Sequence, residues 1–256
     1  DGDSHFPAIS SDGRFVAFES AATNLVTGDS NDSGDVFVHD RQTGMTTRVS
    51  VSSQGAQGDN GSFWLAISHD GGKVVFTSRA SNLVAGDTNR SDDIFLHDRA
   101  AATTERISVD TGRVQGDGDS IMPSISDDGS QVAYLSWASN LVPGDSNGRG
   151  DVFVLDRLTG ATSRVSVASS GIQGNDNSVQ AEISGDGRIV VFQSYASNLV
   201  DGDEKTGVTL MQMTLGLDEG PMILVDEIEV ARHETTTSLS GKLALCGASV
   251  ALRGIR

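Results

Sequence analysis

Three loops in this chain carry oxygen donors at a spacing that suits a hard cation. Each reads Gly-Asp-x-Asn-x-x-x-Asp and runs into an alternating apolar stretch, at Gly28–Val38, Gly86–Leu96 and Gly144–Val154. Calcium takes six to eight oxygen ligands from carboxylates, amide and backbone carbonyls and water. Alternate residues of a tight loop direct their oxygens inward, which nominates Asp29, Asn31 and Ser33, then Asp87, Asn89 and Ser91, then Asp145 and Asn147. Asp35, Asp93 and Asp151 close the three loops. Arg149 stands at the third position of the last loop and cannot ligate, so a carbonyl or water would replace it there. The competing reading is that Asp and Asn make Asx-turns and cap their own backbone.

A second acidic loop recurs around Asp59, Asp117 and Asn175, but its spacing drifts between copies, and a solvated turn accounts for it. Catalytic patterns are sparse. Gly247-Ala248-Ser249-Val250-Ala251 breaks the nucleophile-elbow pattern at its last position. His233-Glu234 lacks the second histidine of a zinc-protease helix. His39 and His97 share a repeat position with Leu155, which suits packing better than general-base work. The neighbouring pairs Asp40-Arg41, Asp98-Arg99 and Asp156-Arg157 read as ion pairs or turns at strand ends. Trp64, Trp137 and Tyr195 are candidates for a sugar-stacking surface or for core.

What positions these loops is a repeat. Asp29, Asp87, Asp145 and Asp203 stand 58 residues apart, and Asp-Gly and Asn-Leu-Val marks keep the same step. A fixed period of this size signals a repeat architecture. The copies fall at 1–58, 59–116, 117–174 and 175–232, with a tail at 233–256. Each copy reads as four short strands, in copy one Phe6–Ser10, Phe15–Ser20, Asp35–Asp40 and Thr46–Val51. A tight turn at Asp12-Gly13 joins the first two. Four antiparallel strands per unit, stacked on like units, predict an all-β fold, a β-propeller with four-stranded blades. A β-helix is the competing arrangement.

The core Pro-x-Ile-Ser-x-Asp-Gly-x-x-Val-Ala-Phe, best kept at Pro7–Phe18 and Pro123–Tyr134, resembles the TolB-type, WD40-like β-propeller repeat of secreted and periplasmic bacterial proteins. Copies two and four depart at the proline, with Leu65 and Ala181. The resemblance implies a blade, commonly one of six, and names no activity, since propellers host many. The Asp-Asn loops also resemble the calcium loops of integrin-type propellers, although they are two residues shorter before the strand.

The fourth copy departs from the pattern after Asp203, with Lys205 and Thr209 where Asn and Asp are expected. Val208–Leu215 and Met222–Val230 read as degenerate third and fourth strands, and Lys242–Ile255 as a strand pair or short helix capping the stack. A chain starting at Asp1, on a repeat boundary and without a leader, reads as a processed product. The formal charge of −17, from 35 acidic and 18 basic residues, opposes nucleic-acid or anionic-membrane binding. No apolar run is long enough to span a bilayer, and the lone Cys246 cannot form an intrachain disulfide.

The sequence thus predicts a non-catalytic binding and scaffold propeller, extracellular or periplasmic, with Ca2+ in its loops and a protein or glycan partner. A carbohydrate-active or hydrolase-associated propeller and a self-assembling surface or filament protein are the alternatives.

Overall fold

In a computed structural model of the chain, the structure describes residues 1–199, 206–212 and 222–228. The fold is all-β, built from four antiparallel sheets of four strands. The first holds β1 (Ser4–Ile9), β2 (Phe15–Ser20), β3 (Asp35–Asp40) and β4 (Met45–Arg48), side by side in chain order. The second repeats this with β5 (Ser62–Ile67), β6 (Lys73–Ser78), β7 (Asp93–Asp98) and β8 (Thr103–Arg106). The third holds β9 (Ser120–Ile125), β10 (Gln131–Ser136), β11 (Asp151–Asp156) and β12 (Thr162–Arg164). The fourth holds β13 (Ser178–Ile183), β14 (Ile189–Ser194), β15 (Thr206–Gln212) and β16 (Met222–Ile228).

The first strand of each sheet lies over the first three strands of the sheet before it: β5 on β1–β3, β9 on β5–β7, β13 on β9–β11. Covering both faces of a strand explains its composition. The middle strands Asp35–Asp40, Asp93–Asp98 and Asp151–Asp156 are apolar without interruption for three or four residues because neither face meets water. Val36 and Val38 pack with Val74, Phe76 and Phe95 of the next sheet, and Ile94 and Leu96 with Val132, Tyr134 and Phe153. Val152 and Val154 then pack with Ala181, Val190 and Phe192. Stacked rings within sheets, Phe18 on Phe37, Phe76 on Phe95 and Tyr134 on Phe153, stand 5.9–6.1 Å apart.

The Ser-x-Asp-Gly turn is a small hydrogen-bonded unit. Ser10 Oγ donates to Asp12 Oδ1 (2.6 Å), which also accepts from the Arg14 N–H (2.9 Å), while the Phe15 N–H donates back to Ser10 Oγ. Gly13 sits at φ 70°, a conformation that disfavours any side chain. These bonds hold the carboxyls of Asp12, Asp70, Asp128 and Asp186 below their ordinary range. The turns also link the sheets: Ser11 N–H donates to His69 O (3.0 Å), His69 N–H to Asp127 O (3.1 Å) and Asp127 N–H to Gly185 O (2.8 Å).

Two local features differ from the sequence expectation. The first strands contain a β-bulge, where Phe6, Trp64, Met122 and Gln180 take φ values of 45–55° and the register slips. The last strand of the first sheet ends at Arg48, because the Val49 and Ser50 N–H groups both turn back to Val36 O. The tail segment Lys242–Ile255 lies outside the described residues.

Candidate functional site at the Asp-Asn loops

The register of β3 on β4 pairs Phe37 with Arg48, bringing the arginine to the loop that precedes β3. Asp35 is fully buried. Its Oδ1 accepts from Ser50 Oγ (2.6 Å), and its Oδ2 accepts from Arg48 (2.8 Å) and from Gln57 Nε2 (3.1 Å). Asp29 Oδ1 accepts from the same Gln57 amide (2.8 Å) and lies 3.3 Å from the Arg48 guanidinium. Two carboxylates of the loop therefore face a cation, and that cation is an arginine of the next strand.

The other copies repeat the arrangement. Arg106 stands 3.1 Å from Asp87 and 3.6 Å from Asp93, and Arg164 stands 3.2 Å from Asp145 and 3.5 Å from Asp151. Ser108 and Ser166 donate to Asp93 and Asp151 at 2.6 Å, and each accepts the N–H of the following strand residue, Ile94 or Val152, at 3.1 Å. Gln115 and Gln173 accept from Arg106 (2.6 Å) and Arg164 (2.9 Å). Arg106 faces Asp93 through Nε and Asp87 through one terminal nitrogen as ion pairs, and neither nitrogen makes a hydrogen bond. Two acids against one base leave each buried cluster with an excess negative charge. Burial raises the carboxyls of Asp87 and Asp145, and pushes Asp93 up to about 6 against the opposing Ser108 bond and Arg106 charge.

The predicted asparagine ligands present their amide N–H groups inward and their carbonyl oxygens to the loop backbone. Asn31 Nδ2 donates to Gly58 O, Asn89 Nδ2 to Gly116 O and Asn147 Nδ2 to Gly174 O, each at 2.9 Å. Their Oδ1 atoms accept from the N–H two residues on, at Ser33, Ser91 and Arg149, closing Asx-turns. Ser33 Oγ donates to Asn31 O. So the structure brings Asp29 with Asp35, Asp87 with Asp93 and Asp145 with Asp151, keeps Asn89 and Asn147 on Asp93 and Asp151 through Nδ2 (3.1 and 3.0 Å), and commits the three asparagine Oδ1 atoms and Ser33 Oγ to the backbone. Among the described residues, no group of three or more His, Cys, Asp or Glu side chains is placed to hold a metal ion. The partners missing from the sequence reading are Arg48, Arg106 and Arg164 and the glutamines Gln57, Gln115 and Gln173. Their signal was present, since both recur at the 58-residue step.

The second acidic loop is a clasp. Asp59 accepts from the Ser81 N–H and Ser81 Oγ, both at 2.7 Å, and donates its own N–H to Asn82 Oδ1, whose Nδ2 reaches Gln57 O. Asp117 with Ser139 and Asn140 does the same, and Asn175 repeats it with Ser197 and Asn198 except that its Nδ2 donates to Ser197 Oγ. The Asn-Leu-Val mark is thus explained, with Leu83, Leu141 and Leu199 buried beside the clasp. Asp40 pairs with Arg14 (2.7 Å) rather than with Arg41, and that bond holds its carboxyl well below the usual range. Arg41, Arg99 and Arg157 donate instead to the carbonyls of Gly13, Gly71 and Gly129. His39 and His97 bond Thr46 and Thr104 of the adjacent strand, a packing role. Trp137 and Tyr195 are about half exposed. A groove of about 790 Å³ beside the third loop is lined by Asp110, Thr111, Ser139, Asn140, Pro143 and Arg164 among others.

These sheets define a β-propeller fold. The fold is similar to TolB of Agrobacterium tumefaciens (TM-score 0.53, 18% identity, over 86% of this chain and 62% of that one). It is also similar to TolB of Acinetobacter baumannii (TM-score 0.51, 16% identity, over 88% and 43%). A different relationship holds at the other end. Residues 192–254 match the formyl transferase family. Over 54 residues the chain is 50% identical to methionyl-tRNA formyltransferase of Herminiimonas arsenicoxydans, and over 50 residues 46% identical to that of Chromobacterium violaceum. These stretches cover 21% and 20% of this chain, and the chain spans only 17% and 16% of those relatives. The departure from the repeat after Asp203 falls inside this match.

Proposed function

We propose that the chain is a non-catalytic binding and scaffold propeller that acts outside the cytoplasm, in the periplasm or beyond. The observation that carries this reading is the equivalence of the first three sheets. In each of them one arginine faces the two loop aspartates and one serine bonds the closing aspartate, whereas a catalytic propeller needs unique acids and bases converging from different blades. The three acidic loops serve as internal locks, each closed by a guanidinium. Calcium is the competing reading for these loops, and it would have to displace Arg48, Arg106 or Arg164, since a second cation beside a buried guanidinium is repelled. The groove at Pro143 has hydroxyl, amide and apolar lining, which suits a glycan or an extended peptide.

A second reading, formyl transfer, is favoured by the match over residues 192–254. Against it stands a charge of −17, because binding a polyanion such as tRNA draws on basic patches. One experiment addresses both readings: immobilised glycans and peptides are screened beside methionyl-tRNA, with the Pro143→Trp variant as control. The scaffold reading expects saturable glycan or peptide binding that Pro143→Trp weakens at least tenfold, and no tRNA retention. Binding of tRNA with formyl transfer, or ligand binding indifferent to Pro143→Trp, would overturn it.

A further inference from the structure

The Ser-x-Asp-Gly turn is the same in all four sheets except at x, and there the copies carry Ser11, His69, Asp127 and Gly185. The first three are the residue types of a nucleophile, a base and an acid that orients the base. They also meet. Each turn passes its N–H at x to the carbonyl at x of the next sheet, Ser11 to His69 (3.0 Å), His69 to Asp127 (3.1 Å) and Asp127 to Gly185 (2.8 Å). That backbone ladder sets the side chains in a row across three sheets.

Ser11 Oγ lies 2.7 Å from His69 Nε2, and His69 Nδ1 lies 3.6 Å from Asp127 Oδ2. A carboxylate only accepts, so Asp127 favours the tautomer with the proton on Nδ1, which leaves Nε2 to accept from Ser11 Oγ. The second distance is long for a hydrogen bond but close enough to stabilise the ring once it is protonated. Gly185 keeps the row clear, because a Cβ there would collide with the Asp127 carboxylate. The row is open to solvent. The His69 and Asp127 side chains are 57% and 60% exposed, although each of their sheets is packed on both sides by another. Their exposure therefore belongs to the turns and not to an end of the stack.

We propose that Ser11 is an acyl-acceptor site for activated acyl donors, aryl esters or thioesters, with His69 as its base and Asp127 as a positioning residue. As Ser11 Oγ bonds the acyl carbon, its proton passes to His69 Nε2. The bond from that carbon to the leaving oxygen or sulfur breaks, the leaving atom keeps the electron pair, and Nε2 returns the proton to it. The products are an acyl ester on Ser11 and a free phenol or thiol. Release of the acyl group requires water to attack an alkyl ester, whose leaving group is poorer than the donor's. The N–H of a serine nucleophile is a usual donor to the oxyanion, but the Ser11 N–H is committed to His69 O. One such donor is worth about 10²–10³-fold in rate. The site thus retains an acyl group and does not turn over, which goes beyond the scaffold reading and is independent of the Pro143 groove.

The test treats the whole chain with p-nitrophenyl acetate and follows p-nitrophenolate release together with peptide mass spectrometry. The expected result is a burst of one p-nitrophenolate per chain, with the acetyl group on Ser11 and not on the exposed Ser30, whose hydroxyl bonds Gln57. Ser11→Ala should abolish the burst, and Pro143→Trp should leave it unchanged. His69→Gln should slow acetylation of Ser11 by about a hundredfold or more. Asp127→Asn should slow it several-fold and weaken its dependence on salt, since the exposed pair is screened, and Asp127→Glu should restore it. All these variants should melt with the parent. Acetylation of Ser11 no faster than of Ser30, a rate indifferent to His69→Gln, a burst that persists in Ser11→Ala, or steady turnover with no retained acetyl group would overturn the proposal.

Discussion

At the scale of single residues, repetition offers an internal control that most proteins lack. Tyr134 occupies the place held by Phe18, Phe76 and Phe192, and its buried hydroxyl has no hydrogen-bond partner. An orphaned buried hydroxyl costs about 1–3 kcal/mol. Tyr134→Phe should therefore raise the denaturant midpoint by the equivalent of roughly 1 kcal/mol, and a lowered midpoint would show that the hydroxyl has a role. Asp93 is the other informative residue. Its folded carboxyl is raised to about 6 by burial, so the stability it contributes is complete below its ordinary value near 3.8 and is lost as pH climbs through 6. Asp12, Asp70, Asp128 and Asp186 have lowered carboxyls, and their contribution is lost as pH falls below that ordinary value. Stability should peak at about pH 4, measured by urea unfolding at fixed temperature. In Asp93→Asn the decline from about pH 4 to 6 should flatten, and a decline as steep as in the parent would contradict the assignment.

At the scale of the element, the copies differ by matched exchanges. Arg79 bonds Asp92 across the second sheet at 3.0 and 3.1 Å, and in the third sheet the same two places hold Trp137 against Gly150. The first sheet has Ala21 and Gly34 there. Converting one pair into the other should be favourable only as a pair. Arg79→Trp with Asp92→Gly should be more stable than the sum of the two single changes, with a coupling of about 0.5–3 kcal/mol, and additive effects in the double-mutant cycle would deny the exchange. Much of this level was legible in the sequence. The 58-residue step located the middle strands of the first three sheets, because their uninterrupted apolar runs and bounding Asp residues have one reading. The bulges at Phe6, Trp64, Met122 and Gln180 were hidden, since those residue types give no sign of a left-handed backbone. The composition of the lock was only half visible. Asp29 and Asp35 advertise a cation, but Arg48 reaches them through strand pairing, which a linear motif does not display.

At the scale of the whole molecule, three sheets are locked and the fourth is composite. β13 and the start of β14 continue the repeat, while β15 and β16 fall within the formyl transferase match. Counting forward from the lock of the third sheet gives Asp203, Thr209, Met222, Leu224 and Ala231, so only the first acid remains. The register shifts as well: Ser194 pairs with Gly207, where the repeat would place Thr209. A shift of two residues preserves which side chains share a face, so the β15–β16 hairpin still completes the sheet. That junction was not readable from repeat logic, which treats any departure as a degenerate copy.

The central claim is that arginines close the acidic loops and that stability does not draw on calcium. Thermal unfolding followed with excess calcium, with magnesium and with chelator tests it most directly. A midpoint that stays the same in all three is the predicted result. A midpoint that climbs with calcium concentration, as mass action requires of a cation bound only by the folded state, would contradict it.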